Sequence, residues 1–458
     1  MPAPDHDLKR REFLKATAAA TVAASLPACD QGARVPAPSR RPNVLFVFSD
    51  SHRAASTGCY GNGIVRTPHI DAFAQQGVRL TTAVSSLPEC RPFRGSLMTG
   101  AYAHQHGILA NKSERNVVGA DGRWRPRALP TLGSSFAAAG YRCGYVGKWH
   151  LGSARLDPGE LRFGFNDYWA AAISPVHDYL NWSYCTGADD VVHVRDRFRP
   201  AGEVDLARDF ISSADERPWL LCLSWGPPHK PHQPPADFDR YRDIARPADI
   251  PTNYSLKPLA GYYGLVEAID HEFGRLLATI DELGQAQDTL VVYTSDHGAM
   301  VGSHGLSGKE VPYSHATCVP FIVRLPGRLA AGTTMSQPFG SPDIFPTLAG
   351  LAGVPVPAGV QGLDFSATLA GEATATLRDA AFMAAYEPPP LPWPGWRGVM
   401  TETHMYARTV SGPTMLYDRR ADPLEQENLI GRQPALRDEL DARTVEAMRD
   451  LEDEWGAA

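Results

Sequence analysis

Four stretches of the chain are continuously apolar and then turn abruptly polar. Asn43 to Phe48 runs into Ser49-Asp50, and Gly140 to Gly147 into Lys148-Trp149-His150. Trp219 to Trp225 runs into Pro227-Pro228-His229, and Thr289 to Ser295 into Asp296-His297-Gly298. A short unbroken apolar run suits a strand buried on both faces, as in a parallel sheet. Each run delivers chemically capable side chains at its C-terminal end, where open α/β sheets build their sites. Helical patterns alternate with the runs. Thr67-Pro68 opens one through Gln76, Leu259 to Leu283 carries another that stops at Gly284, and Ser341-Pro342-Asp343 opens a third through Leu351. The alternation predicts an α/β fold with a large, mostly parallel sheet flanked by helices.

After about residue 375 the texture changes. Strand-like pieces occur at Ala381–Tyr386, Met405–Val410 and Met415–Tyr417, and a charged helix is expected from Pro434 to Trp455. We read residues 42–375 as the main domain and 376–458 as a smaller C-terminal α+β subdomain with an antiparallel sheet. The only biased segments are the Ala-rich N-terminal stretch, a Pro-rich stretch after it, and Pro388–Pro394.

Composition narrows the class. The 458 residues are 43% hydrophobic and 21% charged, a globular balance that excludes disorder and collagen-like structure. A net charge of -7 without basic blocks in the body argues against nucleic acid as a partner. Seven cysteines are too few for a disulfide scaffold, and the odd number leaves at least one unpaired or modified.

Residues 1–41 read as an address. Lys9-Arg10-Arg11-Glu12-Phe13-Leu14-Lys15 precedes an Ala-rich run to Ala28, too short for a span of roughly 20 residues. This resembles a twin-arginine (Tat) export signal, which implies the Tat machinery as a partner. Leu26-Pro27-Ala28-Cys29 resembles a lipoprotein cleavage box, with a general signal peptidase as the alternative cleaving enzyme. The expectation is a signal peptide over 1–29 and a polar tether over 30–41. The protein would then be exported to the periplasm or cell surface and held at the membrane only by a lipid on Cys29.

The most specific motif is Cys90-Arg91-Pro92-Phe93-Arg94 with Thr99-Gly100 behind it. A Cys at a helix entrance, with an Arg one turn on, is an activated thiol on chemical grounds alone. The bland reading is a buried Cys in a loop. The stretch resembles the signature of the sulfatases: Cys, any residue, Pro, any residue, Arg, then Thr-Gly. The resemblance continues through Ser49-Asp50, Thr67-Pro68, Gly147 to His150, Pro228-His229, Thr294 to Gly298, Gly308-Lys309, Leu416 to Asp418 and Asp422-Pro423. It covers essentially the whole chain after the leader. It implies an alkaline-phosphatase-like fold and a sulfuric ester hydrolase acting on a sulfated small molecule or glycan. It also implies that a separate formylglycine-generating enzyme converts Cys90 to an aldehyde.

The residues fit that expectation. A sulfate ester needs its negative charge neutralised, and Arg94, Lys148 and Lys309 offer fixed cations. Asp50 and Asp296 are carboxylates suited to a hard divalent cation. The resemblance implies calcium, with magnesium as the alternative, held with Cys90 and His297. Two positions depart from the common family pattern. Ser51 stands where a second Asp is frequent, and His297 is either a ligand or a support for Asp296. By the family mechanism, one hydroxyl of the hydrated aldehyde attacks sulfur with Asp296 as base. His229 or Lys309 protonates the leaving alcohol, and His150 helps expel sulfate. His104, His106 and Gly107 suit a structural loop at least as well as catalysis. His177-Asp178 lies in a loop able to face substrate, and Trp396-Arg397-Gly398 favours packing between subdomains. Two other functions share the pattern: a formylglycine-dependent phosphonate or phosphodiester hydrolase, and a non-catalytic surface lipoprotein.

Overall fold

A computed structural model describes residues 41–455, apart from 114–115, 117–123, 125–128, 153–154, 156–159, 174–176, 188–189, 373–375 and 387–394. The expected leader, Cys29, the tether before residue 41 and the Pro388–Pro394 run lie outside the described residues. No described helix is long and apolar enough to cross a membrane.

The four apolar runs become four neighbouring strands. In spatial order they are Thr289–Ser295, Asn43–Asp50, Trp219–Pro228 and Arg142–Lys148, all parallel. They form the middle of a ten-stranded sheet. The sheet is mixed: Phe321–Arg324 joins Thr289–Ser295 antiparallel, and the far edge is built from the antiparallel pair Asn181–Cys185 and Val191–Arg195. That pair falls in the 151–199 stretch, whose residue pattern does not show which elements it forms.

Both faces of the central strand are covered. Val44, Phe46 and Phe48 enter one core with Phe345 and Leu348, whereas Leu45 and Val47 enter another with Ile269, Phe273 and Leu276. All five are fully buried, which is why the run is unbroken rather than alternating. Truncating any of these to Ala is expected to cost about 2–5 kcal/mol. The Lys257–Glu282 and Pro68–Gln76 helices cover the second face, and Asp270 of the former accepts the backbone N–H groups of Ile70 and His69 at the start of the latter.

Gly147 shows how closely the strands approach at the site end. Its φ is +102°, and a Cβ there would lie 2.1 Å from the Ser224 carbonyl oxygen. Only glycine allows that contact, and the next residue is Lys148.

The second sheet has four antiparallel strands in sequence order: Ala380–Ala385, Trp396–Thr401, His404–Thr409 and Gly412–Asp418. Three answer the expected strand-like pieces. The Trp396–Thr401 strand was not anticipated, because Arg397 and Gly398 interrupt its apolar pattern. The closing helix covers Pro434–Asp450 and stops short of Trp455. Ser341–Asp343 is a single 3-10 turn leading into the Ile344–Ala352 helix. The described residues from 41 to 455 constitute one compact unit.

Candidate active site

The ends of the four central strands and the start of one helix meet at Cys90. Asp50 ends its strand fully buried, and Asp296 follows directly after Ser295. Cys90 is the first residue of the Cys90–Thr99 helix, with Glu89 extended before it and left-handed Gly100 closing the other end. Its Sγ lies 3.6 Å and 3.7 Å from the two Asp50 oxygens and 3.3 Å from His297 Nε2. Lys309 Nζ donates to the same sulfur at 2.9 Å, and Lys148 Nζ approaches it at 3.7 Å. Lys148 also forms an ion pair with Asp50.

Arg94 sits one helical turn on from Cys90 and is fully buried. Its guanidinium donates to Ser224 Oγ at 2.8 Å, to Tyr145 OH at 3.3 Å and to the Lys148 carbonyl. Its other nitrogen lies 3.6 Å from Asp296 Oδ2 and 4.0 Å from Asp50 Oδ2. Arg94 therefore braces the two carboxylates from behind. Ser224 and Tyr145, which seat it, carry no signal in the sequence beyond lying in apolar runs.

The electrostatics follow from this crowding. Burial pushes the Cys90 thiol up and so does Asp50, but Lys148, Lys309 and His297 together overcome both and hold it well below the usual thiol range. Burial also pushes Asp50 up, and the same two lysines with His229 and His297 bring it well below the usual carboxylate range. Asp296 goes the other way, raised to about 6 by burial and by the charge of Asp50. Lys309, although buried, is raised because Cys90, Asp50 and Asp296 favour its ammonium form.

Four ligand atoms, from Asp50, Cys90, Asp296 and His297, lie within 4.8 Å of one another. Asp296 Oδ1 accepts the backbone N–H groups of Ser51 and His297, at 3.0 Å and 2.8 Å. Asp296 Oδ2 is buried with no hydrogen-bond partner. His297 Nδ1 donates to the Gly298 carbonyl at 2.8 Å, which turns Nε2 towards the cluster, where a cation would displace its proton. Two buried carboxylates, an orphaned carboxylate oxygen and an inward imidazole nitrogen fit a divalent cation. Ser51, with φ of +72°, donates its hydroxyl to Asp50 Oδ1 at 2.9 Å. It thus supports a carboxylate at the position where a second Asp is common.

His150, two residues after Lys148, has a φ of +61°, and burial draws its pKa down although the Cys90 thiol pulls it up. Its Nδ1 is buried and unpartnered among the described residues. His229 stands at the end of the Trp219–Pro228 strand. Burial lowers its pKa against the pull of Asp50, with Lys309 and Lys148 adding to the fall. Every residue expected from the sequence to carry chemistry is thus found in or beside one cluster.

The weaker expectations divide. His106 is fully buried beneath the Cys90 helix, bonded to Ser96 Oγ and to the Ile108 N–H. His104 joins Tyr386 OH and the Leu451 carbonyl. Both serve packing. Trp396 is buried between the sheets, as expected, and its indole N–H also donates to the Glu310 carbonyl at 2.8 Å. His177 stacks on His229 with ring centroids 4.0 Å apart.

Comparison with known proteins agrees with this geometry. Residues 42–354 match the family described as Sulfatase, and residues 302–453 match the one described as N-sulphoglucosamine sulphohydrolase, C-terminal. The chain belongs to the sulfatase family, and is by class a sulfuric ester hydrolase. It is 33% identical over 440 residues to a Formosa agariphila protein named Ulvan-active sulfatase, covering 91% of this chain and 82% of that one. A solved structure described under the metabolism of multiple glycosaminoglycans by Bacteroides thetaiotaomicron has a TM-score of 0.82 at 25% identity, covering 91% of this chain and 98% of that one. A phosphonate monoester hydrolase of Agrobacterium radiobacter shares the fold, with a TM-score of 0.72 at 21% identity over 90% of this chain and 96% of that one.

Proposed function

We propose that this protein is an exported sulfatase that cleaves a sulfate ester of a glycan or small alcohol at position 90. The observation that carries the reading is the placement of Cys90 between Lys148, Lys309 and the paired carboxylates Asp50 and Asp296. A sulfate group held against position 90 would meet two ammonium groups that stabilise its oxygens as charge develops on them.

Oxidation of Cys90 to formylglycine supplies an aldehyde whose hydrate offers one hydroxyl to attack sulfur and a second to release sulfate. A divalent cation held by Asp50, Asp296 and His297 would supply further charge neutralisation; the family resemblance implies calcium, with magnesium as the alternative. The protein's own groups do the rest. Lys148 and Lys309 bind sulfate oxygens, and Arg94 keeps the two carboxylates in place. Asp296 accepts the proton of the attacking hydroxyl. His150 takes the proton when sulfate leaves.

His229 is assigned to protonate the leaving alcohol. Its Nδ1 donates to the Lys230 carbonyl at 2.7 Å, so Nε2 is the atom free to carry the transferred proton. Burial, with Lys309 and Lys148, holds its pKa down in the free protein. The negative charge of a bound sulfate ester opposes that effect and favours the protonated ring. Lys309, committed to Cys90, is better placed to bind sulfate.

The relatives named above support a sulfated glycan as substrate. Export, the lipid on Cys29 and attachment at a membrane surface rest on the leader sequence alone. The test of the central reading is the mass of the Cys90 peptide isolated from the native host, with elemental analysis of the same preparation. The aldehyde and a bound divalent cation are expected. A thiol in turnover-competent protein overturns the role of position 90. Faster cleavage of a phosphate diester than of an aryl sulfate would favour the phosphodiester alternative.

A further inference from the structure

His229 is held at its ring and at its backbone by one short segment. The His177 ring lies on the His229 ring with planes only 14° apart. Two residues on, the Tyr179 hydroxyl lies 2.7 Å from the His229 carbonyl oxygen and 3.1 Å from that of Gly226, and its hydrogen serves one of them. The segment itself is braced. Asp178 Oδ1 accepts the N–H groups of Leu180 and Asn181, at 3.1 Å and 2.8 Å, which turns the chain into the Asn181–Cys185 strand. The Tyr179 carbonyl accepts the Arg199 N–H at 2.7 Å, tying the segment to the Arg199–Ile211 helix.

A single hydrogen bond from His229 Nδ1 to Lys230 fixes one edge of the imidazole but not its plane. The terminal torsion of a His side chain is broad, so rotation about that bond remains soft. A second ring stacked on its face removes that freedom. Proton delivery is steep in distance, and misplacement by about 1 Å costs on the order of 10²-fold.

We infer that His177 is a positioning residue: its ring fixes the plane of His229, so that Nε2 stays aimed at the leaving oxygen of the substrate. The inference rests on the proposed role of His229 as the proton donor. It assigns His177 no proton transfer and no contact with the sulfate. Among the described residues His177 belongs to no group of side chains able to hold a metal ion.

The experiment compares wild type with His177→Ala, His177→Phe and His229→Ala on 4-nitrophenyl sulfate and unsubstituted phenyl sulfate. Nitrophenolate leaves almost unaided, whereas phenolate needs its proton. His229→Ala is expected to slow phenyl sulfate far more than 4-nitrophenyl sulfate. His177→Ala should show the same bias more weakly, with kcat on phenyl sulfate down about 10-fold, on 4-nitrophenyl sulfate down less than about threefold, and KM little changed. His177→Phe keeps a flat ring and should restore most of the loss. Equal losses on both substrates, a loss confined to KM, or a Phe variant no better than Ala would overturn the inference. Absence of the bias in His229→Ala would instead refute the role given to His229, so the two failures are distinguishable. Unfolding temperatures of all variants separate misfolding from mispositioning, and the Phe variant retains the packing if Ala does not fold.

Discussion

The two sides of the active site are built on different principles. On one side, Asp50, Lys148, His229 and Asp296 stand at or just beyond the ends of adjacent parallel strands, with Cys90 at a helix start facing them. Strand register places these groups, and the register is fixed by cores on both faces of the sheet. On the other side, Lys309 rides on an irregular stretch between Asp296 and Tyr313. Val301, His304 and Glu310 there all have positive φ, a conformation non-glycine residues avoid. Backbone bonds close its turns, from the Met300 N–H to the Gly308 carbonyl at 2.9 Å and from the Gly302 N–H to the Leu306 carbonyl at 2.7 Å, but they end short of Lys309. The Lys309 end is secured from outside: the Glu310 N–H donates to the Pro88 carbonyl at 3.2 Å, and the Trp396 indole of the second sheet donates to the Glu310 carbonyl. Met300, Val311 and Tyr313 of the stretch share a core with Trp396, Met400 and Met405. The second sheet is thus part of the active-site wall, two or three residues removed from the sulfur.

The comparison can be broken at three points. The largest effect is expected from Cys90→Ala, which removes the group on which both sides converge. Turnover should fall by more than about 10³-fold, with cooperative unfolding retained, as read by steady-state rates and circular dichroism. Near-normal turnover would mean that the cluster is not the site of reaction.

Trp396→Phe tests the outside clasp. It keeps the aromatic packing and deletes the indole donor. If the second sheet holds Lys309 in place, kcat should drop about 3- to 10-fold, with the unfolding temperature lowered by only a few degrees. An unchanged kcat would show that the Lys309 stretch keeps its path unaided.

The smallest effect concerns the support beneath the helix. His106 is buried as a neutral ring, its pKa lowered to about 3, mainly by burial. The unfolded chain takes up its proton near pH 6.5, so this group's contribution to stability is complete above that value and is lost as pH falls towards 3. His106→Gln should cost about 1–2 kcal/mol at pH 7.5. That gap should narrow by up to ~1.4 kcal/mol per pH unit below pH 6. Denaturant unfolding of both proteins across that range measures it. A gap that stays constant with pH would mean that His106 carries no such burden.

Much of the strand side was legible in the sequence. An unbroken apolar run announces burial on both faces, and the polar residues that end it must then lie at one edge of the sheet. The motif at Cys90 added the helix start. The Lys309 side was much less so. Lys309 was expected from resemblance, but nothing local shows that Trp396 reaches Glu310. The Trp396–Thr401 strand was itself hidden, because Arg397 is buried by pairing with Asp453, which defeats an apolar pattern. Likewise the 177–179 segment read only as a loop, since a stack between rings 52 residues apart leaves no periodic trace.

The sequence by itself determined the central strands, the chemistry carried at their ends and the family to which the chain belongs, because burial and reactivity are properties of short stretches. The tertiary structure alone decided which groups orient the reacting ones: Ser224 and Tyr145 for Arg94, Trp396 for the Lys309 stretch, and His177 and Tyr179 for His229. Those contacts join elements far apart in the chain. Their geometry depends on sheet register and on the second sheet's docking, neither of which is encoded in any local run of residues.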